Sequence, residues 1–270
     1  FGVTDDNGQF TCFGCSESGD VLDFVQKYLN LGLKEAYERI GGGIDPVERA
    51  KLAEQRARQV ERELEASIQR AQGALEELRT ARRWLHYHEQ MNDKARRYWQ
   101  KRGIPSVWQD IWSLGWNFQM SVASSQGTWS TPTATIPLFD EKDAVGNIKH
   151  RLITPPPDGG KYRYEVSGLS APLFLTSPEN GISDHVIAVE GEVKAMVVYI
   201  TLDTPGARVV GLPGLGTGKD QLERLQPAEK ITLITDPGSR VETWELVKKL
   251  GKKRCRVLIP PMKIDDGILA

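Results

Sequence analysis

The sequence predicts a multi-domain protein of mixed α+β and α/β class, and three observations carry that reading. A Cys12-x-x-Cys15 pair follows a hairpin signal near the first residue. A proline-free, densely charged stretch runs from Val47 to about Lys101. From about Ser183 onward, short β-forming runs alternate with helical ones.

The 270 residues suffice for one large or two medium domains with real cores. Hydrophobic residues make up 39% and charged residues 26%, an ordinary water-soluble balance. The net charge of −1 excludes nucleic-acid binding by bulk charge, so any such binding rests on local basic patches. No apolar run approaches the roughly 20 residues of a membrane span, and no signal peptide is visible. Three cysteines make no disulfide framework and suit a reducing cytoplasm.

In chain order, "VTDDNGQFTC" places Asn7-Gly8 between two extended runs, a hairpin signal, and "CFGC" closes the second strand. Val21, Phe24, Val25, Tyr28 and Leu29 fall at helical spacing, with Asp20 as the cap. "LKEAYERI" is a second short helix, stopped by Gly41-Gly42-Gly43. Asp45-Pro46-Val47-Glu48 then starts one or two long helices, with Asp45 as N-cap and a break expected near Gly73. Leu52, Val60, Leu64, Ile68, Leu75 and Leu78 form a narrow apolar seam on this charged rod. That pattern reads as a solvated spacer packed on one side, with a partner-binding coiled coil as the minor reading.

Beyond Arg102-Gly103-Ile104-Pro105 the composition changes. Trp99, Trp108, Trp112, Trp116 and Trp129 cluster there as packing residues. Strands are expected at "TATIPLFD", "VGNIKHRLI" and "KYRYEV", with a turn from Asp140 to Gly146. The last third reads as strand "HVIAVEG", helix "EVKAMVVYITL", strand "RVVGLPG", helix "KDQLERLQ", strand "KITLITD", helix "RVETWELVKKLG" and strand "RCRVLIPP". Alternation with short loops predicts a parallel sheet covered on both faces. In such sheets the working site lies at the carboxyl ends of the strands.

Those ends carry acids: Glu190, Asp236, and the Asp265-Asp266 pair after the last strand. Neighbouring parallel strands bring Glu190, Asp236 and one of Asp265 or Asp266 to one edge of the sheet. Clustered carboxylates repel one another unless cations neutralise them. Oxygen-only ligands select Mg²⁺ or Mn²⁺, ions that handle phosphates. The competing reading is that acids after strands are ordinary turn and cap residues.

The stretches "VIAVEGEVKAMVVY", "LGTGKDQLERL", "ITLITDPGSR" and "VLIPPMKIDD" resemble the Toprim domain shared by DnaG-type primases and topoisomerases. "YWQKRGIPSVWQDIWSLGW", "IPLFDEKDAVGNIKHRLI" and "KYRYE" are similar to the RNA polymerase core and basic subdomain of the bacterial-type primase, and the first 42 residues to the second half of a CHC2-type zinc-binding domain. Each motif alone is modest, and their order makes the resemblance specific over all but the helical spacer. The compact form resembles phage or mobile-element members.

The resemblance implies four parts. Residues 1–43 are a partial zinc-ribbon domain, 44–97 a long helical linker, 98–184 a small α+β basic subdomain and 185–270 the Toprim parallel α/β domain. The implied activity is template-dependent synthesis of short RNA primers on single-stranded DNA from nucleoside triphosphates, with Mg²⁺ or Mn²⁺. A replicative helicase, separate or fused, is the implied partner. Glu190 and Asp236 match the catalytic acids. Glu190, Asp236, Asp265 and Asp266 match metal ligands, and Arg151, Lys161, Tyr162 and Arg163 match a grip on template or nucleotide phosphates. Gly216-Thr217 matches the Gly-Thr that ends the second Toprim strand. Cys12 and Cys15 supply two of four Zn²⁺ ligands, the other two being expected about fifteen to twenty residues upstream.

Two departures count against a full metal centre. Gly238 stands where the family has the second aspartate of Asp-x-Asp, and Lys194 where it often has another. Hence two alternatives stay open: a catalytically degenerate, DNA-binding or helicase-linked module, and a Toprim nuclease. Other features are decoys. His86 and His88 lie on different sides of a helix, Pro213 and Asp220 spoil a phosphate-loop reading of "GLPGLGTGKD", and Cys255 reads as a buried strand residue.

Overall fold

The computed structural model describes the chain except for residues 1, 5–7, 13, 16, 41–45, 126, 141, 158, 178–182, 203–205, 216 and 270, and the side chains of residues 46–49 and 219. It divides into two compact units, Phe1–Ala66 and Ser67–Ala270.

In the first unit, β1 (Gly2–Thr4), β2 (Gln9–Thr11) and β3 (Ser18–Gly19) form a small antiparallel sheet. Gly8 takes φ +62°, as a hairpin turn demands; Asn7 lies outside the described residues. Ser18-Gly19 pairs with β2 immediately before the helix cap. Helix α1 (Val21–Leu29) opens on a reciprocal cap. Asp20 accepts from the backbone of Leu22 and Asp23 at 2.9 and 3.0 Å, and Asp23 accepts from the Asp20 backbone at 3.1 Å. Phe10, Leu22 and Ala36 of α2 (Leu33–Arg39) are buried, and Phe10 meets Phe24 edge to face. The Gly41–Gly43 stop and the Asp45 cap fall outside the described residues.

Helix α3 (Pro46–Thr80) runs through Gly73 without a break. One glycine costs about 1 kcal/mol in a helix. It is outweighed here by strong helix formers on either side and by the burial of Ala71 and Leu78 against Val145, Ile148 and Val166. The chain breaks instead at Arg82, which takes the left-handed φ of +46°. Helices α4 (Arg83–Glu89), α5 (Asp93–Gln100, capped by Asn92) and α6 (Ser106–Ile111) follow. The seam is open in its middle, where Val60 and Leu64 are 63% and 59% exposed, while Leu52 and Leu75 are half-buried and Leu78 is buried.

The second unit contains two sheets. The antiparallel one is ordered β4 (Gly115–Ser124), β5 (Gly127–Phe139), β6 (Val145–Leu152), β7 (Tyr162–Tyr164). Strand β4 was not expected from the sequence. The other sheet is ordered β12 (Cys255–Leu258), β11 (Lys230–Ile234), β9 (His185–Glu190), β10 (Ala207–Leu212), β8 (Phe174–Leu175), parallel but for β8. Helix α7 (Glu192–Thr201) joins β9 to β10 and packs Val193, Ala195, Met196 and Val198 into a core shared with Ile136 and Leu138 of β5, Trp99 and Trp112. On the opposite face, Leu222 of α8 (Lys219–Glu223) and Leu246 and Leu250 of α9 (Arg240–Leu250) cover Val186, Ile231 and Leu233. Helix α8 is shorter than "KDQLERLQ" suggested, and Asp265-Asp266 belong to a final helix, α10 (Ile264–Leu269), where a loop was expected. Among the described residues no helix is long and apolar enough to cross a membrane.

Candidate functional site

Strands β9 and β11 are neighbours in register, Val189 beside Ile234, so the residues just past their ends meet. The Asp236 backbone N–H donates to Glu190 Oε2 at 2.9 Å. Gly191, at φ +95°, turns the chain straight from Glu190 into α7. That turn brings Lys194 one helical turn on, where its ammonium donates to Asp236 Oδ1. The neighbouring turn contains Gly238 at φ +91°, with nothing within 4 Å of where a Cβ would sit. Backbone conformation, not lack of space, therefore favours glycine at the place of the family's second aspartate.

These residues line a cavity of about 320 Å³ between the two sheets. From the parallel sheet and its helices come Glu190, Glu192, Lys194, Asp236, Lys263 and Asp265. From the antiparallel sheet come Lys149, Arg151, Lys161 and Tyr162, and Arg102 enters after α5. Six cations thus face four carboxylates. Three of the carboxylates are paired: Glu192 with Lys149, Asp236 with Lys194, and Asp265 with Arg102 at 3.4 Å. Arg151, Lys161 and Lys263 have no acid partner among the described residues, so the cavity favours a polyanion.

The sequence-predicted residues divide. Glu190, Asp236, Asp265, Arg151, Lys161 and Tyr162 come together around the cavity; Asp266 is exposed and outside its lining, and Arg163 turns away, donating to the backbone oxygens of Gly160 and Tyr162. Strand alternation explains Arg163. Tyr162 pairs with Arg151 across β6–β7 and shares its face, whereas Arg163 pairs with His150 on the other. His150 is fully buried there, bonded to Thr133 at 2.9 Å and Glu165 at 2.5 Å. Burial works to raise the Glu165 carboxyl, but the hydrogen bonds from His150 and Arg83 outweigh it and hold the group down at about 2.

The sequence reading missed Lys149 and Glu192. Lys149 is 5% exposed and Glu192 3%, and the ammonium reaches both carboxylate oxygens at 2.7 Å. It also lies 4.8 Å from the centre of the Tyr162 ring, which Arg151 flanks at 5.6 Å. Burial pulls the Lys149 pKa down, but Glu192 and Tyr164 outweigh it and the net shift is upward. The available signal was the two-residue step from Lys149 to Arg151, which puts both on one face of β6.

The donor set suits a single hard divalent ion. Mg²⁺ is commonly held by one or two carboxylates with water and substrate phosphates completing the shell, and Glu190 and Asp236 are such a pair. Asp265 Oδ1 is buried without a partner. A two-ion cage does not fit: among the described residues no three His, Cys, Asp or Glu side chains are grouped to hold a metal, and Lys194 already engages Asp236. In the first unit, Cys12 and Cys15 are free thiols within hydrogen-bonding reach of one another. The backbone N–H groups of Cys15 and Gly14 point at Cys12 and lower its pKa, as a thiolate ligand requires. His86 and His88 form no metal site. His88 Nδ1 bonds the Leu114 carbonyl at 2.7 Å, and His86 meets Gln90. Cys255 is half-buried on β12.

Comparison with known proteins bears on the family resemblance and the fold. Residues 1–51 match the family described as CHC2 zinc finger, which implies zinc for that segment. A DNA primase of Clostridium acetobutylicum is 25% identical over 306 aligned positions, which cover 99% of this chain and 48% of that protein. The chain therefore spans about half the length of that curated relative. The Aquifex aeolicus primase zinc-binding and RNA polymerase domains superpose with a TM-score of 0.53 at 18% identity, covering 98% of this chain and 71% of that one. A DnaG primase catalytic domain solved bound to single-stranded DNA gives 0.53 at 17% identity, covering 75% and 77%. At these identities the solved structures establish the fold.

Proposed function

We propose that this chain, a relative of the DnaG-type DNA primases by sequence and fold, carries the primer-synthesis site of a DNA primase in the cavity between its two sheets. The observation that carries the reading is the meeting of Glu190 and Asp236 at adjacent strand ends, opposite Arg151, Lys161 and Tyr162. Carboxylates on one wall and unpaired cations on the other suit the joining of nucleoside triphosphates along a single-stranded DNA template.

The oxygen of Glu190 not held by the Asp236 amide serves as acceptor for the proton of the attacking 3′-hydroxyl. Arg151, Lys161 and Lys263 neutralise the triphosphate as the new O–P bond forms and pyrophosphate leaves. Tyr162, whose hydroxyl accepts from Arg151 at 2.8 Å, is 39% exposed and offers its ring for a base to stack on. Glu190 and Asp236 would hold one Mg²⁺ or Mn²⁺, which would supply charge to the reacting phosphate. Asp265 sits at the edge of this set and Asp266 outside it. Arg163, on the reverse face of β7, takes no part in the cavity.

The same reading assigns residues 1–43 to zinc-dependent template recognition through Cys12 and Cys15, 44–97 to a tether, 98–184 to the basic wall and 185–270 to the acidic wall. A replicative helicase as partner and a cytoplasmic setting rest on the family resemblance alone. One observation favours a second reading, a pocket that binds DNA or nucleotide without turnover: Lys194 already neutralises Asp236. Primer synthesis on single-stranded DNA with Mg²⁺ and then Mn²⁺ separates the two. Synthesis by the parent and its loss in Glu190→Gln and Asp236→Asn supports the primase. Template binding with no synthesis in either metal supports the second reading.

A further inference from the structure

We propose that Lys194 is a built-in cation of this site, holding with its ammonium the position beside Asp236 that would otherwise draw a second divalent ion. The inference rests on the primase reading of the cavity and specifies how its charge is supplied. Four observations lead to it. The Lys194 ammonium donates to Asp236 Oδ1, with the two side chains 15% and 20% exposed, so the pair is partly shielded yet faces the cavity. Its backbone is fixed, because the next two residues, Ala195 and Met196, are fully buried under the sheet. Gly238, on the turn after Asp236, offers no carboxylate and has a backbone suited to glycine. Asp265, 6% exposed, is paired with Arg102 and Glu192 with Lys149, so of the cavity's acids Glu190 and Asp236 are left to meet an ion beside Lys194.

The charges are consistent. Glu190 and Asp236 carry two negative charges between them. One divalent ion and one ammonium leave the pair with a single net positive charge to meet a triphosphate. A second divalent ion at Asp236 would have to sit against the ammonium, and like charges at that separation in a partly shielded pocket repel strongly. Lys194 thus trades a dissociable ion for a covalently held one. The site's occupancy then depends on a single metal-binding equilibrium.

The test counts metal. Mn²⁺ binding to the zinc-loaded protein is measured by the electron paramagnetic resonance signal of free Mn²⁺. Asp236→Asn serves as the blank that identifies ions belonging to this pocket. The parent is expected to bind one ion that Asp236→Asn abolishes. Lys194→Arg should match the parent, Lys194→Met should bind that ion about tenfold tighter, and Lys194→Asp should gain a second. Two Asp236-dependent ions in the parent, or equal number and affinity in the parent, Lys194→Met and Lys194→Asp, would overturn the proposal. Should Lys194→Asp fail to fold, the Met and Arg variants decide alone. Primer synthesis is scored separately. A parent that binds Mn²⁺ as described but makes no primer refutes the primase reading and leaves this inference standing. A parent that makes primers while its metal count ignores Lys194 refutes only the inference.

Discussion

The cavity has a sealed rear and an open mouth, and each contains a lysine–carboxylate pair with one member on the first turn of α7, Glu192 at the rear and Lys194 at the mouth. At the rear, Lys149 and Glu192 are nearly inaccessible and bind each other through both oxygens. At the mouth, Lys194 and Asp236 share one oxygen and remain partly open. The chemistry is the same, yet the surroundings assign different work. The rear pair is locked between β6 and α7 and holds the two sheets in register across the cavity. The mouth pair faces the cavity and sets the charge that an incoming ion or phosphate meets. Burial, more than residue type, separates a structural pair from a functional one.

Breaking the rear pair should have the largest effect on stability. Lys149→Met leaves a buried, uncompensated Glu192 carboxylate and should cost about 3–5 kcal/mol, read as a shift in the denaturant midpoint. Lys149→Met with Glu192→Leu should recover most of that loss, because a well-packed apolar pair replaces the ions. The buried network on the reverse face of β6 sharpens the comparison through pH. The Glu165 carboxyl titrates at about 2 when folded, against its ordinary 4.5. Its contribution is therefore fully present above pH ~4.5 and lost as the pH falls towards 2. The parent should lose more stability over that range than Glu165→Gln, whose remaining loss comes from other acids.

Smaller effects are expected at the mouth. Gly238→Asp restores a carboxylate in sequence but forces it onto a positive-φ backbone. It should cost about 1–2 kcal/mol in thermal unfolding. Lys194→Met removes only a partly exposed pair and should move stability by less than about 1 kcal/mol. A Lys194→Met loss as large as that of Lys149→Met would erase the distinction between rear and mouth.

Much of this was legible in the sequence where local signals and tertiary packing agree. The alternation of β-branched runs with helical ones placed β9, α7, β10, β11, α9 and β12, and the rule that sites lie at strand ends placed Glu190 beside Asp236. The rest depended on contacts between distant segments. Strand β4, "GWNFQMSVAS", hides because its polar residues face water on one side and its identity comes from pairing with β5. The helix break sits at Arg82 because packing against β6 carries α3 past Gly73. Glu192 looks like an ordinary first-turn acid until Lys149, 43 residues earlier, is seen against it. Arg163 was grouped with Tyr162 by adjacency, although neighbouring strand residues face opposite ways.

The central claim is that the mouth performs chemistry that the fold does not need for its stability. The most direct test measures primer synthesis on single-stranded DNA and the melting temperature together, for the parent and Glu190→Gln. The account predicts a loss in rate of about 100- to 10,000-fold with the melting temperature unchanged. Full activity in Glu190→Gln, or a rate loss matched by collapse of the fold, would contradict it.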